Sequence, residues 1–415
     1  MQNKYKKQLI LLAFAVLSLT AFSQKTPDIY GYVRNYTGVL TGQDFDYSII
    51  QNTMDLSLEK GTPNMAFKLN PYVYQYAERD EVDFGLREAY IDLYFKRFDL
   101  RVGKQQIVWG KADGVFITDV VSPKDLREFL LPDFEEIRVG ITSVKLNYYL
   151  NLNSAFELVL APEFEPTRYA EPGSIWFPAM PLQGVKINMS QKEVSPSVEN
   201  SEAFLKFSKL GDNIDYEIMG GYMWDDDQSM HTRRYINPQT QTVDSVVITP
   251  RHHRLGLLGG SLGTEVRGVV LRSEAAFYMG KKFVSPSPTA PDGLIEKDYV
   301  HYLLGADWIT RGINFSVQFI QEAILDYDAD IAKDKTTSTM TFLANDSYYN
   351  DKLTLEFFAY VGLTNEDALI RPRVIYELYN GLNLTVGANI FTGSKGQFGQ
   401  FDKNDMAYFK LKYDF

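Results

Sequence analysis

The sequence predicts an all-β fold, a transmembrane antiparallel β-barrel of about 18 strands (range 16–18) with one loop folded inward, and three observations carry that expectation. The last strand-length alternates without a break. Ala407, Phe409, Leu411, Tyr413 and Phe415 fall on one face, Tyr408, Lys410, Lys412 and Asp414 on the other. A wall with lipid outside and water inside needs that pattern in strand after strand. Connections between such segments alternate between tight and long, as they do when one rim carries short turns and the other long loops. Finally, 27 tyrosines and 27 phenylalanines suit two aromatic girdles at membrane interfaces better than a soluble core.

At the start of the chain Lys4, Lys6 and Lys7 precede an apolar run from Leu9 to Phe22, and Ala21 and Ser23 supply small residues before Gln24. The run is shorter than the ~20 residues of a spanning helix. Residues 1–23 therefore read as a cleavable signal peptide, and 24–415 as one barrel domain. No later stretch is long and apolar enough for a helical span, so membrane residence must be by strands. The formal net charge of −11 becomes −14 once a leader with three lysines and no acid is removed, which argues against a nucleic-acid partner. The absence of cysteine excludes disulfides, thiolate metal sites and lipid attachment through an N-terminal cysteine.

Taken in order, strands are expected near residues 28–40, 48–59, 63–76, 84–95, 98–108, 140–151, 153–162, 200–209, 213–224, 252–262, 265–278, 297–309, 313–325, 339–349, 351–363, 367–379, 382–391 and 405–415. Period-two alternation is cleanest for Leu382, Leu384, Val386, Ala388 and Ile390, for Leu353 to Val361, for Ile313 to Phe319, and for Phe98, Leu100 and Val102. The stretches Tyr30 to Leu40 and His231 to Val247 resist phasing. Tight connections fall at Lys60 to Thr62, Lys96-Arg97, Asn151-Leu152, Gly211-Asp212, Gly263-Thr264, Arg311-Gly312, Asn350 and Asn380-Gly381, the last carrying a type I′ signal. Between them lie long ones, including 109–139, 163–199, 225–251, 279–296 and 392–404. A soluble sandwich has no reason to sort loop length by parity.

One segment has a sequence of its own. A strand runs through Gly103, Gln105 and Gln106 to Trp109-Gly110-Lys111, and after Asp113-Gly114 the run Ser122-Pro123-Lys124-Asp125 is expected to open a short helix, with serine as cap and proline at its first position. Gly103, Gln105, Trp109, Gly110, Lys111 and Asp113, followed by Ser122-Pro123 and Asp125-Leu126-Arg127-Glu128-Phe129, resemble a large, mostly uncharacterised family of Gram-negative outer-membrane proteins, in which a glycine-glutamine strand leads into a Trp-Gly turn and an Asn/Ser-Pro segment. The resemblance implies a porin-like barrel in the cell outer membrane, of a kind sometimes encoded near exporters of hydrophobic compounds, and implies no substrate. The terminal Phe415 similarly resembles the strand signal by which outer-membrane barrels are recognised for insertion, and the leader's end looks like those of secreted Bacteroidota proteins. Outer-membrane lipid, lipopolysaccharide and the barrel-assembly machinery are the partners so implied.

By parity, 109–139 is the third external loop. Val115, Phe116, Ile117, Val120, Val121, Leu126 and Phe129 to Leu131 are too apolar to stand in water, so an inward fold is expected. The loop also carries Lys111, Asp113, Asp119, Arg127 and Glu128 within a surplus of acids, while phasing turns Arg371, Arg373, Lys410 and Lys412 inward. These nine residues form the expected pore constriction, in which acids of the loop face a basic wall and a transverse field sorts permeants. A solvated lining with structural ion pairs is the competing account.

The remaining motifs are weaker. Arg251-His252-His253-Arg254 lacks a third ligand at metal spacing. Asp326-Tyr327-Asp328-Ala329-Asp330 begins like a calcium loop, but Ile331 and Thr337 occupy the positions that need glycine and glutamate. Trp224 with Asp225 to Asp227 reads as an interfacial tryptophan before an acidic external loop. No metal or cofactor is expected. A hydrolase around His301 would need a converging nucleophile, and no such motif occurs, so no enzyme is expected. Two function classes stay open: a channel for small solutes, and a conduit for hydrophobic or lipidic cargo working with an exporter, favoured by the family resemblance and by inward Tyr90, Tyr94, Phe358 and Tyr360; a barrel serving only as an adhesin or structural anchor is a third.

Overall fold

The computed structural model describes residues 27–42, 45–178, 186–187, 194–236, 239 and 243–415; the expected leader, 1–23, lies outside them. Eighteen strands form one sheet. In chain order they are β1 (Asp28–Leu40), β2 (Tyr47–Thr62), β3 (Met65–Tyr76), β4 (Glu81–Tyr94), β5 (Phe98–Gln105), β6 (Ile141–Asn151), β7 (Ser154–Ala161), β8 (Glu202–Lys209) and β9 (Ile214–Trp224). They continue as β10 (Arg254–Val266), β11 (Val269–Val284), β12 (Leu294–Thr310), β13 (Ile313–Ile324), β14 (Thr336–Tyr348), β15 (Leu353–Gly362), β16 (Asp367–Tyr379), β17 (Leu382–Thr392) and β18 (Met406–Asp414). Each pairs antiparallel with its neighbour in sequence. The ring closes where β1 meets β18, with Tyr32 opposite Asp414 and Leu40 opposite Met406, so no edge is left unpaired.

Alternation sets the two faces. On β18, Phe409, Leu411 and Tyr413 stand outward, each about two-fifths exposed, while Met406, Tyr408 and Lys410 point inward and are buried. An outer face this apolar is stable only against hydrocarbon. Near the tight turns the outward rings meet in pairs: Phe95 with Phe98, Phe156 with Phe207, Trp308 with Phe315 at 5.4 Å, and Phe342 with Phe357 at 6.0 Å. Such contacts contribute roughly 0.5–1.5 kcal/mol each beyond area burial, and together they form the girdle that the aromatic content implied.

Five local expectations are corrected. The turn between β2 and β3 is Pro63-Asn64, not Lys60 to Thr62, because β2 stays paired as far as Thr62 opposite Met65. The turn between β10 and β11 is Arg267-Gly268, not Gly263-Thr264, because both strands run further before turning. Positive φ at both turn residues, the I′ geometry, occurs there and at Arg311-Gly312; in Asn380-Gly381 only Gly381 has it (φ 79°), and a register shift between Glu377 and Tyr379 takes up the difference. The region around His231 to Val247 is a separate hairpin, Ser229–Ile236 against Val243–Arg251, outside the ring. Ser122-Pro123 opens no helix: Asp125–Leu126 is a short strand parallel to Arg168–Tyr169, and Ser122 Oγ accepts the Ile107 N–H at 2.8 Å. A single helical turn, Phe134–Ile137, comes later in the segment.

Candidate pore constriction

The segment 106–140 leaves β5 and returns in β6, and two glycines set its exit and entry. Gly103 has φ 134°, and a Cβ there would lie 2.3 Å from the Ala89 carbonyl oxygen; at Gly140 a Cβ would lie 2.3 Å from that of Arg87. Only glycine fits where the backbone leaves the wall so close to its neighbour. Gln106 then ties departure to return, its Nε2 donating to the carbonyls of Glu135 (2.8 Å) and Arg138 (2.6 Å).

Trp109, 2 % exposed, packs edge-on to Phe204 of β8 and donates its indole N–H to Glu157 of β7. Beyond it the chain reaches the wall nearly half the ring away. The backbone N–H of Lys111 donates to Glu274 of β11 at 2.5 Å, and the hydroxyl of Thr118 to the same carboxylate at 2.8 Å. Arg272 of β11 donates to the Lys111 carbonyl and to the Asp113 carboxylate, both at 2.5 Å. Gln318 of β13 takes both backbone groups of Asp113, at 3.1 and 2.7 Å, and the Tyr360 hydroxyl of β15 donates to the Gly114 carbonyl at 2.6 Å. The Trp-Gly-Lys-x-Asp-Gly run is thus a docking sequence, and its partners are inward residues of β7 to β15.

The second half of the segment contacts the opposite arc. Arg371 of β16 donates to the carbonyls of Leu130 (2.9 Å) and Leu131 (3.0 Å). Asp133 lies 3.8 Å from both Arg373 of β16 and Lys410 of β18, its side chain half open to the lumen. Lys410, opposed by burial and joined by Arg34, Arg373 and Arg371, holds the Asp133 carboxyl down at about 2. Burial pushes Glu136 up, but Arg34 of β1 at 2.7 Å and the Tyr32 hydroxyl at 2.5 Å bring it below its ordinary value. Phe129, in the left-handed region at φ 53°, sits among Trp176, Phe391, Phe398 and Phe401.

The nine residues expected at the constriction divide into groups. Arg371, Arg373 and Lys410 gather on the segment's second half. Lys412 turns away, pairing with Asp414 at 2.7 Å over the Tyr32 ring. Asp113 is held by Arg272, and the Lys111 side chain reaches Glu217 of β9 at 3.9 Å. Asp119, 2 % exposed, binds Arg138 within the segment at 2.7 Å. Arg127 pairs with Asp125 and with Asp83 of β4, and Glu128 with Arg79 between β3 and β4; burial raises the Glu128 carboxyl against that arginine. Asp133 and Glu136 come from the surplus of loop acids that the sequence showed, whereas sequence reasoning missed Arg34, Arg272 and Glu274 as site residues. Of these three, Arg272 and Glu274, spaced by two on one strand, carried a signal.

The sequence profile of the DUF1302 family, described as a protein of unknown function, matches residues 35–415. The chain belongs to this family. Among solved structures it is similar to Pseudomonas aeruginosa OccK8 (OprE), at TM-score 0.55 and 8% identity over 93% of this chain and 97% of that one. It is also similar to P. aeruginosa OccD3 (OpdP), at 0.54 and 10% over 94% and 91%, and to Acinetobacter baumannii OccAB1, at 0.53 and 10% over 94% and 95%. At such identity the likeness is one of fold. No curated protein matches the sequence.

Proposed function

We propose that this DUF1302 member is an outer-membrane, porin-like channel that passes small solutes through a polar lumen narrowed by the segment 109–139. The observation that carries the reading is the segment's double attachment, to Arg272, Glu274 and Gln318 on one arc and to Arg34, Arg371, Arg373 and Lys410 on the other. A strap fixed at both sides reduces the bore, and the half-open Asp133 among four cations supplies the field that sorts permeants. Lipid and lipopolysaccharide surround the barrel, and the barrel-assembly machinery inserts it; no chemical transformation of the solute is involved.

The rival conduit for hydrophobic cargo rests on the family resemblance and on inward aromatics, and only the second of these bears on the geometry. Tyr360 and Phe358 lie against Gly114, and Tyr90 lies beneath the Arg101 guanidinium at 3.8 Å, so these rings are occupied by the protein itself and favour the solute channel. Purified protein in planar bilayers should give steady ohmic conductance. A closed barrel that retains lipid would replace the channel with the conduit.

A further inference from the structure

On the side of the long loops, the inward segment and the wall enclose a cavity of about 560 Å³. Its floor is Val115, Phe116 and Leu130 of the segment, with Ile320 of β13 beside them. Its upper wall is neutral and hydrogen-bonding: Thr337 and Thr339 of β14, Asn365 and Gln397. His301 of β12 and Glu322 of β13, directly opposite in register, complete it with Lys333 and Asp334 of the connection between β13 and β14.

We propose that this cavity binds a small amphipathic solute with a ring-sized apolar body and a neutral or cationic head. Its size falls within the range of roughly 300–1,000 Å³ typical of small-molecule sites, where an apolar body is held by a few placed polar groups. The apolar floor takes the ring, and the threonines and amides take hydroxyl or amide groups. The sign of the head follows from the ion pairs. Lys333 is the one Lys or Arg that lines the cavity, and its ammonium is held by Glu322; of the cations over Phe116, outside the lining, Arg138 pairs with the Asp119 carboxylate and Lys124 donates to the Asp119 carbonyl. An anionic head would have to break the Lys333–Glu322 pair, whereas a cationic one meets the Asp334 carboxylate, which has no ion pair among the described residues.

Entry of the solute from outside rests on the channel reading, but binding does not. The test is calorimetric titration of the full chain in detergent with benzyltrimethylammonium, benzyl alcohol and benzoate. Saturable binding of the first two is expected, with benzoate weaker by about tenfold or more, a difference of ~1.4 kcal/mol. Ile320→Trp should abolish binding by filling the cavity, and Asp334→Lys, at an exposed position that does not endanger folding, should shift preference toward benzoate. Equal affinity for benzoate and the cation, or binding indifferent to Asp334→Lys, overturns the proposal. A barrel that conducts without binding these probes removes the site and leaves the channel; one that binds without conducting removes the channel and leaves the site.

Discussion

The two halves of the inward segment are attached by different physics. The first half, from Trp109 to Thr118, is held by hydrogen bonds between 2.5 and 3.3 Å to largely buried wall residues, many of them through its backbone. The second half is also anchored, through the Leu130 and Leu131 carbonyls on Arg371 and through Glu136 on Arg34 at 2.7 Å, but its Asp133 meets Arg373 and Lys410 only at 3.8 Å across a partly open gap. Short buried bonds fix a position, because an unmade one costs the whole desolvation of the group. Longer contacts between half-open charges contribute less stability and project a field into the bore. Both halves therefore place the strap, and the second, through Asp133, also acts on what passes.

Substitutions can break that division in order of size. Gly103→Val should abolish the folded barrel, since it combines a φ of 134° with a 2.3 Å approach to Ala89; loss of the heat-modifiable band on a gel is the readout. Next comes Glu274→Ala, which strands the Lys111 and Thr118 donors at roughly 1–3 kcal/mol each. It should free the first half, raise conductance several-fold and expose the segment to protease while the barrel stays folded. If conductance is unchanged, the first half does not position the strap.

Reversing Arg371, Arg373 and Lys410 together to glutamate should shift the reversal potential toward cations with a smaller change in conductance; an unmoved potential removes the field. The smallest effect is that of pH. A carboxyl held at about 2, below its ordinary 3.8, contributes stability above that ordinary value and loses it only as pH falls through about 2. Asp133 should therefore leave selectivity unchanged from pH 7 to 4, measured as the difference between wild type and Asp133→Asn. Glu128, whose carboxyl is raised, has the opposite sign: its burial favours the protonated form, so its contribution to folding grows on acidification.

Much of the barrel was legible because period-two alternation and loop parity are local properties of the chain. β1 resisted phasing for a reason visible in the wall: Asn35 and Thr37 point outward, bonded to each other and to Asn52, while Tyr32 and Tyr36 point inward, the reverse of the usual rule. The helix expected at Ser122 failed because its residues pair with Arg168–Tyr169, a partner that no local window includes. The docking run was visible as a motif, yet its meaning was not, since Glu274 and Gln318 lie far along the chain. Lys412 was phased inward as expected; which of several inward acids it would choose was not encoded in its own strand.

The seam between Gly31 and Phe415, closed by reciprocal backbone bonds of 3.0 and 2.9 Å, also imposes an order of events on biogenesis. The two partners are the most remote in the chain, so their meeting carries the greatest loop-closure cost and belongs late in assembly. Once they zip, the strap is confined to a bore whose two arcs it already bonds, through Glu274 and Gln318 on one and Arg34 and Arg371 on the other. Its bonds therefore act as cross-braces on the closed cylinder, tying together arcs that the sheet itself joins only the long way round.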